Sequence, residues 1–424
     1  MNMILSKSKL SSTSKIQITG SKSETNRWLL LQALYPEIKL ENASNSHDSE
    51  IMEQVILDFN HSLFTNHYSL ITKEYNIHHA GTAMRFLTAF FAIQKGKEVL
   101  LTGSSRMKER PIAILVNALR ELGADISYEE QEGFPPLRIR GKKITKNQVS
   151  LPANVSSQYI SALLLIAPKL ENGLEITLLG ETTSLPYIQM TLKMLQQIGV
   201  EVHFREQSIQ IKPLKNLSEF SSNAIVESDW SSASYWYSMV ALSEIGTKVT
   251  LSFFKENSLQ GDVVLQDIYQ KFGVETIFNS EETITLTKTT SPHLSPFTFH
   301  LLNAPDIAQT IAVTCFGFGL ACELTGLHTL KIKETDRLQA LKNELGKLGA
   351  VVEITNDSLK LANRQTPIKE AAINTYQDHR MAMAFAPLSL LTKIQINEAD
   401  VVEKSYPDFW KDLKRAGFEF KENF

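Results

Sequence analysis

Cysteine is almost missing from this 424-residue chain: only Cys315 and Cys322 occur, both inside one apolar stretch. Two such residues build neither a disulfide framework nor a cysteine-based zinc site, and a reducing compartment suits them. An excess of either charge is missing too, since 43 Lys and Arg face 46 Asp and Glu, for a formal charge of −3. That balance excludes a dedicated nucleic-acid binder and a polybasic membrane-surface protein. Long hydrophobic runs are lacking as well. The longest, Ile311 to Cys322, falls short of a membrane span, and the start of the chain offers only Met3, Ile4 and Leu5, so the chain reads as an unprocessed cytoplasmic protein. With 43% hydrophobic and 21% charged residues it is not a disordered chain, and its length suits two to three domains with a sizeable core.

What the chain does contain is a recurring pattern: an amphipathic helix closed by glycine, an alternating strand, a polar turn and a second strand. It is plainest from Ala118 to Tyr128, where Gly123 is the expected left-handed helix stop. The pattern returns around Gly199, Gly273 and Gly349, and in shortened form around Gly417, in steps of 76, 74, 76 and 68 residues. A degenerate copy near Leu57 to Phe59 precedes the first. Helix–glycine–strand junctions are common in α/β proteins, but the even spacing favours repetition. About six units of roughly 70 residues result, too long for a solenoid repeat and each large enough for a small α/β subdomain. Two lobes of three units satisfy the length. The midpoint falls near Asp229, in a polar segment (226–233) suited to crossing between lobes and capping the next helix. The crevice between such lobes is the default place for a ligand.

Chemistry-bearing residues gather where helices are expected to begin. Gly20 to Arg27 follows a short strand (15–19) and runs into a helix expected from Trp28; Lys22, Ser23 and Arg27 there read as an anion site or as a solvated, capped helix start. His79 to Arg85 is a second glycine-bearing turn, in which Gly81 permits close backbone approach and Arg85 stands one turn in. Arg106, Lys108 and Arg110 precede Pro111 and a helix, as a positive pole or a solvated face. Ser156, Ser157 and Gln158 open an apolar helix predicted over 159–167, and Ser184 to Tyr187 begin the next; both offer groups for phosphate or sugar-like hydroxyls, or for ordinary capping. Asp306 follows Pro305 at a helix start, as a functional carboxylate or an N-cap. Lys333, Glu334, Asp336 and Arg337 fit a helix with Lys333 and Arg337 on one face and Glu334 about 100° away, or a set of surface ion pairs. Asp378, His379 and Arg380 open another helix, with His379 a proton shuttle or a structural histidine, and Lys404 falls in a loop. If these helix starts converge, Lys22, Arg27, Arg85, Arg106, Lys333, Arg337, Arg380 and Lys404 make a cationic pocket in a slightly acidic protein. Such a pocket calls for anionic ligands.

Taken in order, Ser21-Lys-Ser-x-x-Asn-Arg27, Ala80-Gly-Thr-Ala-Met-Arg85, Arg106-Met-Lys-Glu-Arg-Pro111, Ser156-Ser-Gln158, Pro186-Tyr187, Asp229-x-Ser-Ser-Ala-Ser-Tyr235, Pro305-Asp306, Lys333-Glu-Thr-Asp-Arg-Leu338 and Asp378-His-Arg-Met-Ala-Met383 resemble one family over essentially the whole chain. It is the 5-enolpyruvylshikimate-3-phosphate synthase (3-phosphoshikimate 1-carboxyvinyltransferase) family. The resemblance implies a two-lobed inside-out α/β barrel, each lobe three βαβαββ-type repeats with helices inside and strands outside. It places 20–228 in one lobe, 1–19 with 229–424 in the other, and the active site in the cleft between lobes that close on their ligands. It also implies transfer of the enolpyruvyl group from phosphoenolpyruvate to the 5-hydroxyl of shikimate 3-phosphate, through a tetrahedral intermediate that expels phosphate. No metal and no organic cofactor is implied, nor a nucleic-acid or membrane partner, and the chain is expected to be a monomer.

Carried over residue by residue, Lys22, Ser23, Arg27, Ser156, Ser157, Gln158, Ser184, Tyr187, Asp306, Thr329 and Lys333 resemble the shikimate 3-phosphate contacts. Lys22, Gly81, Arg85, Arg106, Gln158, Arg337, Arg380 and Lys404 resemble the phosphoenolpyruvate clamp. Asp306 is then the candidate base at the hydroxyl, Lys22 a shuttle or screen, Glu334 the candidate acid at the methylene carbon, and His379 a further candidate. The chain departs from the family pattern at His79 and Phe86, where asparagine and proline are usual, at Ser46-His47-Asp48, in the shorter stretch 53–78, and at Thr329 in place of an asparagine. These departures bear on phosphoenolpyruvate affinity and on sensitivity to glyphosate. A related enolpyruvyl transferase acting on UDP-N-acetylglucosamine relies on a reactive cysteine, whereas Cys315 and Cys322 read as parts of one buried helix without a nearby cation. A ligand-binding module without activity is the remaining alternative, against which Asp306 and Glu334 both stand.

Overall fold

The five repeating glycines all adopt left-handed backbone angles, with φ of 109° at Gly123, 91° at Gly199, 77° at Gly273, 99° at Gly349 and 98° at Gly417. A side chain there would meet its own carbonyl, so glycine is what lets each helix stop and reverse. At four of them the next residue's N–H reaches back five residues to close the helix: Ala124 to Leu119, Val200 to Leu195, Ala350 to Leu345 and Phe418 to Leu413. The stretch 57–59 is different. It lies inside the His47–Phe64 helix, which runs past it without a stop.

The computed structural model describes residues 1–64, 72–154, 156–217, 223–292 and 296–423. They form two units: Ser21–Val226, and Met1–Gly20 together with Glu227–Phe424. In the first unit, the strands Lys73–Asn76, Glu98–Thr102, Asp125–Tyr128 and Leu137–Arg140 make one four-stranded sheet, with helices between the first three. The first two strands pair parallel, and the other neighbours pair antiparallel. A second sheet of this unit, built from Gln148–Pro152, Leu174–Leu179, Val202–Arg205 and Ser208–Ile211, repeats both the order and the directions. A smaller third sheet pairs Lys39–Glu41 with Asn223–Ile225 in parallel.

The second unit holds three four-stranded sheets with the same sequence of one parallel and two antiparallel pairings. One of them starts with Thr13–Ile16 and continues with Lys248–Ser252. Another takes its last two members from the ends of the chain, with Asn2–Leu5 between Ile394–Ile396 and Phe420–Asn423. The two ends of the sequence are thus stitched into one sheet.

Helices and strands differ in burial. Every residue of Trp230–Ala241 and of His379–Phe385 is buried, and so is nearly all of Gly81–Ala92, Ser157–Ile166 and Ala308–Phe318. Helices apolar on all sides have to sit inside a protein this size. The strands alternate: Thr283–Lys288 and Leu174–Leu179 bury every second side chain and offer the rest to solvent. The chain is therefore a mixed α/β protein with buried helices and half-exposed sheets. Among the described residues no helix is long and apolar enough to cross a membrane.

Candidate active site

Lys22 is the first residue of the Lys22–Leu34 helix, which begins six residues before the expected start at Trp28 because Ser21 caps it, accepting from Glu24 N–H. The helix N-terminus and the lysine therefore act at one place. Lys22 Nζ lies 3.2 Å from Asp48 Oδ2, near the start of the His47–Phe64 helix. The His47 ring stands 6.0 Å from that of His78, whose φ of 48° turns the chain into the next helix, Gly81–Ala92. His79 Nδ1 meets Ser104 Oγ at 2.8 Å. Gln158 Nε2 donates to Thr82 Oγ1 at 3.1 Å, joining the start of Ser157–Ile166 to the same turn, and Ser156 caps that helix through Gln158 N–H. Side-chain contacts thus join the starts of the Lys22 and His47 helices, and those of the Gly81 and Ser157 helices.

Three arginines of this unit differ in use. Arg27 is buried and makes four bonds, to Thr191 Oγ1, Ser161 Oγ and the carbonyls of Ser23 and Tyr187, with its guanidinium 5.4 Å from the Phe86 ring centre and 5.8 Å from that of Tyr187. Burial lowers it to about 10. It locks Ser161 and Tyr187 against the Lys22 helix, and Phe86 supplies the face it lies on. Arg85 is buried as well and donates to the carbonyls of Gly81 and Pro111. These hydrogen bonds hold the Gly81 turn and the Pro111 loop. Arg106 is exposed and paired with Glu109 at 2.8 Å.

Arg110, which the sequence reading did not place in the site, is the one laid on the glycine turn: a Cβ added to Gly81 would stand 2.5 Å from Arg110 Nη1. It is buried, and its Nε has no hydrogen-bond partner among the described residues. Its position directly before Pro111 was the available signal. Ser184 adopts φ of 54° and precedes the Leu185–Gln197 helix without capping it through its side chain.

In the second unit the predicted helix over Lys333 to Arg337 does not form. The chain makes a short turn, His328–Ile332, and the helix starts only at Arg337, capped by Asp336 through Gln339 N–H. Asp336 is a cap because the preceding residues are not helical, and this leaves Lys333 and Glu334 on irregular backbone that can face the neighbouring elements. The Arg337 guanidinium is nearly inaccessible and bonds three carboxylates: Asp378 Oδ2 at 2.6 Å, Asp306 Oδ1 at 2.8 Å and Glu334 Oε2 at 2.8 Å. Asp306 also meets Arg380 Nη2 at 3.3 Å and Lys333 Nζ at 3.7 Å, and it does not act as an N-cap. Three cations and three carboxylates thus share one cluster.

Burial alone would raise Asp306, but Arg380, Lys333 and Arg337 outweigh it and hold the carboxyl well below the usual carboxylate range. Burial alone would lower Arg337, but Asp378, Glu334 and Asp306 hold it up. Asp306 raises Lys333, yet burial and the two arginines prevail and lower it. Asp378 caps His379–Phe385 through Arg380 N–H, and His379 is buried at the first position. Tyr376 and Gln377 both take left-handed angles, φ 55° and 57°, and the Gln377 carbonyl accepts from Lys404 Nζ at 2.7 Å. Lys404 closes a short helical turn, Ala399–Lys404, rather than lying in open loop. Thr329 is buried in its turn, and its hydroxyl lacks a hydrogen-bond partner among the described residues. Cys315 and Cys322 do not share a helix: Gly319 ends Ala308–Phe318, and Cys322 begins a strand. Burial pushes the Cys315 thiol up, which suits packing and not nucleophilic attack. Among the described residues no group of three or more His, Cys, Asp or Glu is placed to hold a metal ion.

Residues 7–413 match the family described as EPSP synthase (3-phosphoshikimate 1-carboxyvinyltransferase). The chain belongs to that family. A 3-phosphoshikimate 1-carboxyvinyltransferase of Bacteroides fragilis (strain YCH46) is 43% identical over 412 residues, covering 96% of each chain. In fold the chain is similar to the EPSP synthase of Acinetobacter baumannii, with a TM-score of 0.76 at 22% identity over 99% of this chain and 100% of that one. It is also similar to the enolpyruvyl transferase NikO from Streptomyces tendae, with a TM-score of 0.71 at 12% identity over 100% and 98%.

Proposed function

We infer that this chain transfers the enolpyruvyl group of phosphoenolpyruvate to the 5-hydroxyl of shikimate 3-phosphate and releases phosphate, a step toward chorismate and the aromatic amino acids. Beyond family membership, the observation that carries the reading is Asp306 among Arg337, Arg380 and Lys333, with Glu334 on the same Arg337. The cluster couples binding to chemistry. While the three cations face Asp306, its carboxylate is a poor base. An incoming phosphate or carboxylate draws the cations toward itself, and Asp306 then becomes basic enough to accept the proton of the 5-hydroxyl.

In the addition step, the hydroxyl oxygen bonds the central carbon of phosphoenolpyruvate, Asp306 takes the hydroxyl proton, and Glu334 protonates the methylene carbon to a methyl group. In the elimination step the carbon–phosphate oxygen bond breaks, a methyl proton returns to a carboxylate, and the carbon–carbon double bond reforms. Lys22 screens or shuttles charge, and the arginines take the substrate anions because a planar, permanently charged fork binds them bidentately. Gln158, Ser156, Ser157, Ser184, Tyr187, Ser23 and Thr329 supply neutral donors to shikimate 3-phosphate. Arg110 joins the phosphoenolpyruvate clamp beside Gly81, Arg380 and Lys404, while Arg27 and Arg85 act mainly by fixing the helix starts. His379, buried at its helix start, is read as structural.

Each unit is further read as one lobe of an inside-out α/β barrel, a reading supported by buried helices and half-exposed sheets. We also read the chain as a cytoplasmic monomer acting on small molecules without a cofactor; the near-neutral charge and the two buried thiols support this. The test is phosphate release by purified protein given both substrates, with each alone as control. Release that needs both is the expected result, and calorimetric binding of shikimate 3-phosphate without release would favour a binding module.

A further inference from the structure

Asp378, which clamps Arg337, and Gln377, whose carbonyl accepts from Lys404, belong to one short loop, Asn374 to Asp378. Its crest is strained. Tyr376 and Gln377 take left-handed angles in succession, φ 55° and 57°, which residues other than glycine keep only where their surroundings impose them. Glu344 is the group that imposes them. This carboxylate is fully buried in the Arg337–Lys347 helix and accepts from three donors: the Tyr376 hydroxyl at 2.6 Å, Asn374 N–H at 3.0 Å and Lys347 Nζ at 2.6 Å. The mechanism above uses neither Glu344 nor Tyr376.

Arg337 and Glu344 are seven positions apart, two helical turns, and so lie on one helix face about 10 Å from each other. That face grips the loop twice, at its end through Asp378 and at its start and crest through Asn374 and Tyr376. From the other side Glu398, directly before the Ala399–Lys404 turn, accepts from Gln377 Nε2 at 2.8 Å and from Thr375 Oγ1 at 3.4 Å. The helix that carries Arg337 and the turn that carries Lys404 are therefore tied to the same loop.

We propose that Glu344, acting through Tyr376, is a positioning residue for the phosphoenolpyruvate clamp: it holds the loop in the conformation that aims Asp378 at Arg337 and the Gln377 carbonyl at Lys404. Without the hydroxyl bond the left-handed pair relaxes toward ordinary angles, the carbonyl turns away, and the two cations lose their fixed spacing. The proposal rests on the transferase reading for its kinetic consequence, though not for the loop itself.

The test uses Tyr376→Phe, which removes one hydroxyl and keeps the ring, in preference to Glu344→Gln, which sets an amide among donors. The KM for phosphoenolpyruvate is expected to rise roughly tenfold, the worth of one hydrogen bond to a charged group, with the KM for shikimate 3-phosphate within about twofold of the parent. Lys347→Met takes away the third partner of Glu344, leaves both of its bonds to the loop, and should keep both KM values within about twofold. Amide hydrogen exchange is the independent readout: in Tyr376→Phe, residues 374–378 should exchange roughly tenfold faster while the Arg337–Lys347 helix stays as in the parent. A fall in kcat with both KM values unchanged is what loss of folded protein produces, and it would overturn the proposal, as would an equal rise in both KM values or unchanged exchange in the loop. A parent that releases no phosphate would fail the transferase reading instead, and the exchange comparison would still decide whether Glu344 holds the loop.

Discussion

Arg337 Nη1 stands 2.8 Å from Asp306 Oδ1, and the same guanidinium holds Glu334 at 2.8 Å through Nη2. The candidate base and the candidate acid are therefore spaced by one rigid, planar group. Arg337 is in turn clamped by Asp378 and is nearly inaccessible to solvent. A lysine at this position would keep the charge and lose the spacing.

Glu334→Gln removes a transferable proton while keeping a hydrogen-bonding group on Arg337. Turnover is expected to fall by about 10² to 10⁴, with substrate binding within a few-fold of the parent. Phosphate release and calorimetry on the same preparation check this, and unchanged turnover would remove Glu334 from the role of acid.

Asp306→Asn deletes a counter-charge shared by Arg337, Arg380 and Lys333. Turnover is expected to drop by about 10² to 10⁴. The fold should lose on the order of 3 kcal/mol, because buried cations are left partly uncompensated. Inorganic phosphate should then raise the melting temperature of the variant more than that of the parent. Equal phosphate shifts in the two proteins would mean that the cations around Asp306 do not take the anion.

Arg110 and Arg106 separate cleanly in a paired experiment. Arg110→Gln is expected to raise the KM for phosphoenolpyruvate by roughly 10- to 100-fold, the worth of one or two charge-assisted hydrogen bonds. Arg106→Gln, at an exposed side chain paired with Glu109, should change it less than threefold, as for a surface ion pair of about 0.5 kcal/mol. Gly81→Ala should fold normally yet behave like Arg110→Gln, because the new methyl group can be relieved only by moving the Arg110 guanidinium. Equal effects of the two arginine variants would contradict the placement.

Lys288 is a buried lysine that donates to the Phe272 carbonyl at 2.6 Å, and burial lowers it to about 8. Its folded value lies below the ordinary lysine value of 10.5, so the unfolded chain binds more protons between those two limits. Stability is therefore expected to increase as the pH rises from about 8 toward 10.5, with a contribution of roughly 3 kcal/mol at most. Denaturant titrations of the parent and of Lys288→Met across that window test it, since the variant should lack this rise. A rise of the same size in Lys288→Met would assign it to other groups.

Much of this was open to reading in the linear chain. Glycine stops at positions 123, 199, 273, 349 and 417 are local events: left-handed backbone excludes most other residues, so the residue type reports the conformation. Helix burial was readable for the same reason, since a helix without a polar face has nowhere to go but inside. Asp229 as a cap and the charged groups at helix starts were likewise legible, because caps and dipoles act within one turn. Local rules failed where a neighbouring element outbids them. Residues 333–336 carry helical spacing but stay irregular, since Asp336 caps the helix at Arg337 and Lys333 and Glu334 are drawn to Asp306 and Arg337.

The residue types and their order thus settled the mixed α/β class, the glycine-stopped repeat and the anionic character of the ligands. Only the tertiary structure decided which of two arginines four residues apart lies on Gly81, and that Asp306 is restrained by three cations. The physical reason is range. Backbone conformation and capping depend on residues a few positions away, whereas the charge state of a buried carboxyl group depends on cations brought from 27 to 74 positions along the chain.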